Sequence, residues 1–234
     1  MLAEIRHCIQ SLADPAAAIH AQRFFKTAPG QYGAGDLFLG IRVPVLRKLV
    51  REFRGLPLAE VKALLCSQWH EERLLALFFL THAYASGDDA MREQIYGFYL
   101  QHREWVNNWD LVDSSAHLIV GPWLEQRDRS ALVEWARSEV LWERRIAVVA
   151  TFHFIRKGDF DDILKLAKLL LEDSHDLMHK AVGWMLREVG KRDRLVLEDF
   201  LANHASKMPR TMLRYAIEKF TESERQAYLR VRKT

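Results

Sequence analysis

WDLVDSSAHLIV, residues 109–120, opens an apolar run on a tryptophan, and four other stretches of the chain open on a basic residue in the same way. RLLALFFL begins at Arg73, RIAVVATFHFI at Arg145, KAVGWMLREVG at Lys180 and RYAIEKF at Arg214. The five leading residues follow one another at gaps of 36, 36, 35 and 34. Each run places apolar residues at helical spacing, and a helical unit recurring every 35 residues or so is the pattern of stacked helix pairs. Neighbouring pairs bury each other's apolar faces, so equivalent positions in successive repeats line one wall. The fold expected is all-α: a helical-repeat solenoid over residues 1–234, read as one domain, with four cations and a tryptophan on a concave basic surface.

Outward from these runs, helical patterning continues almost from end to end. Helices are predicted at about 1–12, 15–27, 43–53, 58–68, 71–85, 88–104, 109–124, 128–138, 142–157, 160–172, 175–190, 194–206, 209–220 and 221–232. Pro15, Pro44, Pro57 and Pro209 fall where a helix should start or a connection should lie. Pro122 follows Gly121 late in its helix and should end or kink it. The one long irregular stretch is TAPGQYGAGDLFLGIR, residues 27–42. Its GAG has neither a preceding strand nor a Lys-Ser/Thr ending, which argues against a phosphate loop. It reads as a surface crossover packed down by Phe38, Leu39 and Ile41.

The net charge is only +3, from 34 Lys and Arg against 31 Asp and Glu. Attraction for a polyanion must therefore come from where the cations lie. Cys8 and Cys66 sit in apolar helical patterns without metal or redox spacing, and are expected to be reduced core residues. Glu4, Arg6 and His7 rule out a secretory h-region at the start, and Leu74–Leu80 is far too short to span a membrane. A cytoplasmic, soluble and monomeric protein is expected.

The candidates for chemistry cluster where the repeat is broken. Trp109 takes a slot that is basic elsewhere, and four residues on the equivalent slots hold Leu77, Asp113, Val149, Trp184 and Glu218. One helical turn puts Trp109 and Asp113 on one face. A carboxylate on a basic wall is costly unless paired or used, and Arg145, one repeat later, is its expected partner. Lys180, Trp184 and Arg187 share a face in the next repeat. Aromatic faces interleaved with cations suit a nucleic-acid backbone. Each residue also has a plain structural reading: a tryptophan within a helix is ordinarily core, and Asp113 with Arg145 could be an inter-helix salt bridge. His175 and His179 mimic metal-ligand spacing, but no third ligand is placed. Ser114, Ser115 and His117 lack a nucleophile elbow.

WDLVD (109–113), LWERRIAV (141–148), HKAVGWMLRE (179–188), FLGIRVPVLR (38–47) and MPRTMLRYAIEKF (208–220) occur in order across nearly the whole chain. Together they resemble the AlkD-like DNA alkylation repair family, DNA glycosylases built of HEAT-like repeats. The resemblance implies a catalytic Asp113, Trp109 and Trp184 against the lesion's deoxyribose, and Arg145 on the adjoining backbone. It implies double-stranded DNA with N3- or N7-alkylated purines as the partner, and no cofactor or metal. Phe24, Lys26, Arg47, Arg73, Lys180, Arg187 and Arg214 are the remaining candidates for DNA contact. AQRFFK (21–26) places Phe24 where the catalytic relative has a tyrosine, and the 27–42 crossover is longer than in the best-known form.

The implied chemistry is coherent. A purine alkylated at N3 or N7 is cationic and already a good leaving group, so its release needs no general acid. One carboxylate can stabilise the oxocarbenium-like sugar and place a water, for roughly 3 to 4 kcal/mol. A non-catalytic binder of damaged or branched DNA would share the cations without needing Asp113. A protein-binding scaffold would show an apolar groove instead.

Overall fold

A computed structural model of the protein describes residues 1–230. Among these residues the secondary structure is helical, joined only by a single parallel bridge between Leu37 and Trp69. The all-α expectation holds, and the succession of paired helices agrees with a helical-repeat solenoid. The chain divides into two compact units, Met1–Ile119 and Val120–Thr234.

The first unit contains α1 (Leu2–Ser11), α2 (Pro15–Phe24), α3 (Val43–Glu52), α4 (Leu58–Leu65), α5 (His70–Ser86), α6 (Asp89–Gln101) and α7 (Trp109–Asp113), with a 3₁₀ turn at Arg103–Trp105. Its centre is α5, which packs against α3, α4, α6 and α7 and is buried at every residue from His70 to Leu80. A helix buried all round has no polar face to read, so its charged first turn must find partners inside. α8 (Ala116–Leu124) contains the division between the units. The second unit continues with α9 (Ser130–Ala136), α10 (Leu141–Ala150), α11 (Phe152–Ile155), α12 (Asp161–Leu169), α13 (Asp176–Gly190), α14 (Arg194–His204), α15 (Arg210–Ala216) and α16 (Glu222–Arg230). Here α13 is central, packed against α10, α11, α12, α14 and α15.

The helix starts follow the sequence signals. Pro15 stands at the first position of α2 behind Asp14, whose carboxylate accepts from the Ala16 and Ala17 amides. Asp88 caps α6 and Asp193 caps α14 in the same manner. Two predicted helices are each divided in two. The 109–124 helix breaks at Ser114–Ser115, where the Ser115 hydroxyl donates to Leu111 O at 2.6 Å. The 142–157 helix breaks at Thr151, whose hydroxyl donates to Val148 O at 2.6 Å. A hydroxyl that takes a helix carbonyl competes with the backbone ladder. Pro122 does not end its helix and lies inside α8. At Gly121 an added Cβ would fall 2.5 Å from Ala150 O, so a side chain has no room there.

The 27–42 crossover is anchored more firmly than a surface loop. Phe38, Leu39 and Ile41 are buried as expected. In addition, the buried Glu71 carboxylate accepts from the amides of Leu39, Gly40 and Ile41 at 2.8–3.2 Å. Gly40 has φ of 82°, and a Cβ there would lie 2.2 Å from Asp14 O. Cys8 and Cys66 are free thiols and half-buried, more exposed than core residues. No helix among the described residues is long and apolar enough to cross a membrane.

Candidate nucleic-acid interface

In the first unit, Trp109 and Asp113 are the first and last residues of α7, and both are half-buried. Trp109 is held by rings. Phe25 stacks on it at 5.1 Å and 11°, and Phe25 also stacks on Phe38 at 4.9 Å and 25°. Phe24, 58% exposed, meets Trp109 edge-on at 5.8 Å. α2 ends at this pair because Lys26 adopts a left-handed backbone, φ 55°, where a helix cannot continue. Lys26 is exposed, and so is Arg47, whose guanidinium lies 4.5 Å above the Phe78 ring. Asp113, Trp109, Phe24 and Lys26 thus lie at the ends of two short helices, α7 and α2, with the aromatic stack between.

Arg73 does not belong to this surface. It is 2% exposed, forms an ion pair with Asp36 and donates to Ser67 O at 3.0 Å. Its helix is enclosed, so its guanidinium neutralises an interior carboxylate and cannot reach a phosphate. Arg73 is an interior residue, where a DNA contact was expected.

Asp36 is also the residue that the sequence reading overlooked. It accepts from Asn108 Nδ2 at 3.1 Å and from His70 Nδ1 at 3.0 Å. His70 Nε2 in turn donates to Asp110 Oδ2 at 2.8 Å. Burial opposes charge on Asp36, but His70 and Arg73 hold its carboxyl below the usual range. Burial likewise opposes a charged imidazole, yet the Asp110 and Asp36 carboxylates win and push His70 up to about 9. Asn108 and Asp110 are the neighbours of Trp109 on either side. The signal for this cluster was available in HEER, residues 70–73: four ionisable side chains leading a wholly apolar run are either exposed or paired. Ser115 is no nucleophile, being buried and bonded to the Tyr99 hydroxyl at 3.1 Å.

In the second unit, Trp184 lies midway along α13, half-buried, with its ring 5.8 Å from Phe152. Arg145, on α10, is 4% exposed and donates from Nη1 to Leu177 O of α13 at 2.6 Å. It is an interior residue that ties α10 to α13. Lys180 is half-buried and paired with Asp176 at 2.8 Å. Arg187 pairs with Glu218, and Arg214 is exposed on α15. His175 and His179 are structural: the first caps α13 by accepting from the Leu177 amide, and the second bonds Asp173 O. No cluster suited to a metal ion occurs among the described residues.

A family model for "DNA alkylation repair enzyme" matches residues 5–220. The chain belongs to that family. Its role accordingly lies in DNA alkylation repair. A solved structure described as a "predicted DNA alkylation repair enzyme from Enterococcus faecalis" superposes with a TM-score of 0.71 at 16% identity, covering 90% of this chain and 97% of that one. At that identity the likeness establishes the fold. Among curated proteins none matches.

Proposed function

We propose that the chain is a monofunctional DNA glycosylase that hydrolyses the N-glycosidic bond of cationic N3- or N7-alkylated purines in duplex DNA. The observation that carries this reading is Asp113: a half-buried carboxylate one helical turn from a half-buried tryptophan, in a chain of a DNA alkylation repair family. The leaving base is already cationic, so the demand on the protein is to stabilise positive charge growing on the sugar. Asp113 meets it by electrostatics and holds the attacking water by a hydrogen bond. The face of Trp109, one helical turn from Asp113, favours the same charge. Phe24 extends the aromatic surface beside Trp109 without a hydroxyl.

The cations divide by availability. Lys26, Arg47 and Arg214 are exposed and take phosphates at little cost. Lys180 and Arg187 must exchange Asp176 and Glu218 for phosphate, so they contribute less. Arg145, which holds the adjoining DNA backbone in this reading, also fixes α13, the helix of Trp184, against α10.

The test is release of free methylpurine from methylated duplex DNA by the purified protein, with Asp113→Asn alongside. Release that falls roughly 10²- to 10³-fold in the variant, with DNA binding kept, is the expected result. Salt-sensitive binding by both proteins without release would make the chain a binder of damaged or branched DNA. Absence of both would leave a protein scaffold.

A further inference from the structure

Helix α7 has five residues, and a helix so short does not hold its own shape in water. It nevertheless carries Trp109 at one end and Asp113 at the other. Its fixed point is the N-terminal end. Asn108, the fully buried N-cap, donates to Asp36, and Asp110, the second helical residue, accepts from His70. The residues flanking Trp109 are therefore tied, through Asp36 and His70, to the first turn of the buried helix α5.

The protonation of His70 follows from geometry. Nδ1 faces Asp36 Oδ2 and Nε2 faces Asp110 Oδ2, and a carboxylate accepts only from an N–H. With both carboxylates ionised, both ring nitrogens carry protons. The charge count agrees: Asp36 and Asp110 are balanced by His70 and Arg73, all with side chains at most 15% exposed. Phe25 at 5.0 Å and Phe38 at 4.4 Å also pack on the ring. Of the neighbouring acids on α5, Glu71 serves the Leu39–Ile41 amides and Glu72 bonds Arg6. Without the His70 proton, two half-buried carboxylates would share one cation, and Asp110 would lose its tie.

We propose that His70, as an imidazolium bridging Asp36 and Asp110, is a positioning residue that sets α7, and with it Trp109 and Asp113, for base release. This rests on the glycosylase reading above for its consequence in rate, while the bridge itself is testable without it.

Nitrogen-15 NMR of the full chain reads the bridge directly. Two ring N–H groups on His70 that persist well above the ordinary imidazole range are expected; one N–H, titrating as a free histidine does, overturns the proposal. Single-turnover base release is then compared among wild type, His70→Gln, Asp110→Asn and Leu166→Ala, the last a buried core change in the second unit. His70→Gln and Asp110→Asn should each slow release by about 10- to 100-fold, the scale of a misplaced catalytic group, with the DNA dissociation constant changed less than about threefold. Leu166→Ala should keep its rate per folded molecule. If His70→Gln does not fold, Asp110→Asn decides alone; a rate within about twofold of wild type overturns the proposal. If wild type releases no base, the glycosylase reading falls, and amide hydrogen exchange across 108–113 takes over. Exchange there should quicken at least about tenfold in His70→Gln but not in Leu166→Ala, and unchanged exchange overturns the bridge.

Discussion

Trp109 and Trp184 are both half-buried tryptophans on helices, yet they are held by opposite means. Trp184 sits in the middle of fifteen helical residues that pack on five neighbouring helices. Trp109 begins a helix of five and depends on a ring stack and on charges buried beside it. A long helix fixes a side chain by its own hydrogen-bond ladder and apolar contacts, whereas a short one must borrow its fixed points. Borrowed points made of ions respond to charge and pH, and points made of packing respond to volume. The first unit should therefore be fragile to charge changes, and the second to added or removed bulk.

The strongest break in this contrast is Asp36→Ala. It strands the Arg73 and His70 cations in the interior, and breaking a buried pair costs roughly 3 to 5 kcal/mol. Urea denaturation should show that loss, with hydrogen exchange placing it in the first unit. The counterpart in the second unit is Gly183→Ala. A Cβ there would lie 2.5 Å from Met212 O and 2.6 Å from Tyr215 Cβ, forcing α13 from α15. Overpacking of this kind costs about 1 to 3 kcal/mol. An Asp36→Ala protein as stable as wild type would end the idea that charge secures the first unit.

pH should separate the units by sign. His70 is raised to about 9, so its stabilisation is full below its ordinary value of 6.5 and is lost as pH rises from there to about 9. Burial lowers His153 and His175 in the second unit, so their effect runs the other way. Stability there should fall as pH drops below 6.5 and stay flat above it. Hydrogen exchange measured at pH values on both sides of neutrality checks both slopes. In His70→Gln the alkaline slope should vanish and the acid one persist.

The smallest effects concern the surface. Arg47→Ala and Arg214→Ala should each reduce the slope of log affinity against log salt by about 1. Lys180→Ala and Arg187→Ala should reduce it less, because each gives up a carboxylate partner to meet DNA. Equal slopes for all four would mean that those ion pairs do not compete.

The repeat was legible from the sequence, because spacing fixes angle around a helix. Positions four apart indeed share a fate: Arg73 and Leu77 are both buried, as are Arg145 and Val149, while Trp109 with Asp113 and Lys180 with Trp184 are half-buried, and Arg214 with Glu218 exposed. Which fate applies was not legible. It depends on what packs outside the helix, and the packing partner is remote: Asp36 precedes Arg73 by 37 residues. The helix breaks at Ser115 and Thr151 escaped for a related reason, since a hydroxyl in a helix breaks it only when its rotamer reaches a carbonyl. The tryptophans and Asp113 stood out because they interrupt a pattern. Asn108 and Asp110 interrupt nothing and emerged only with His70 in place.

The Arg73–Asp36–His70–Asp110 cluster sums to zero charge, and its side chains are at most 15% exposed. Mobile ions are drawn only weakly to a cluster with no net charge, although they compete directly for the exposed arginines. Ionic strength should therefore act as a knob on grip without touching alignment. With enough protein to saturate the DNA at each salt concentration, the single-turnover rate would stay level while affinity falls.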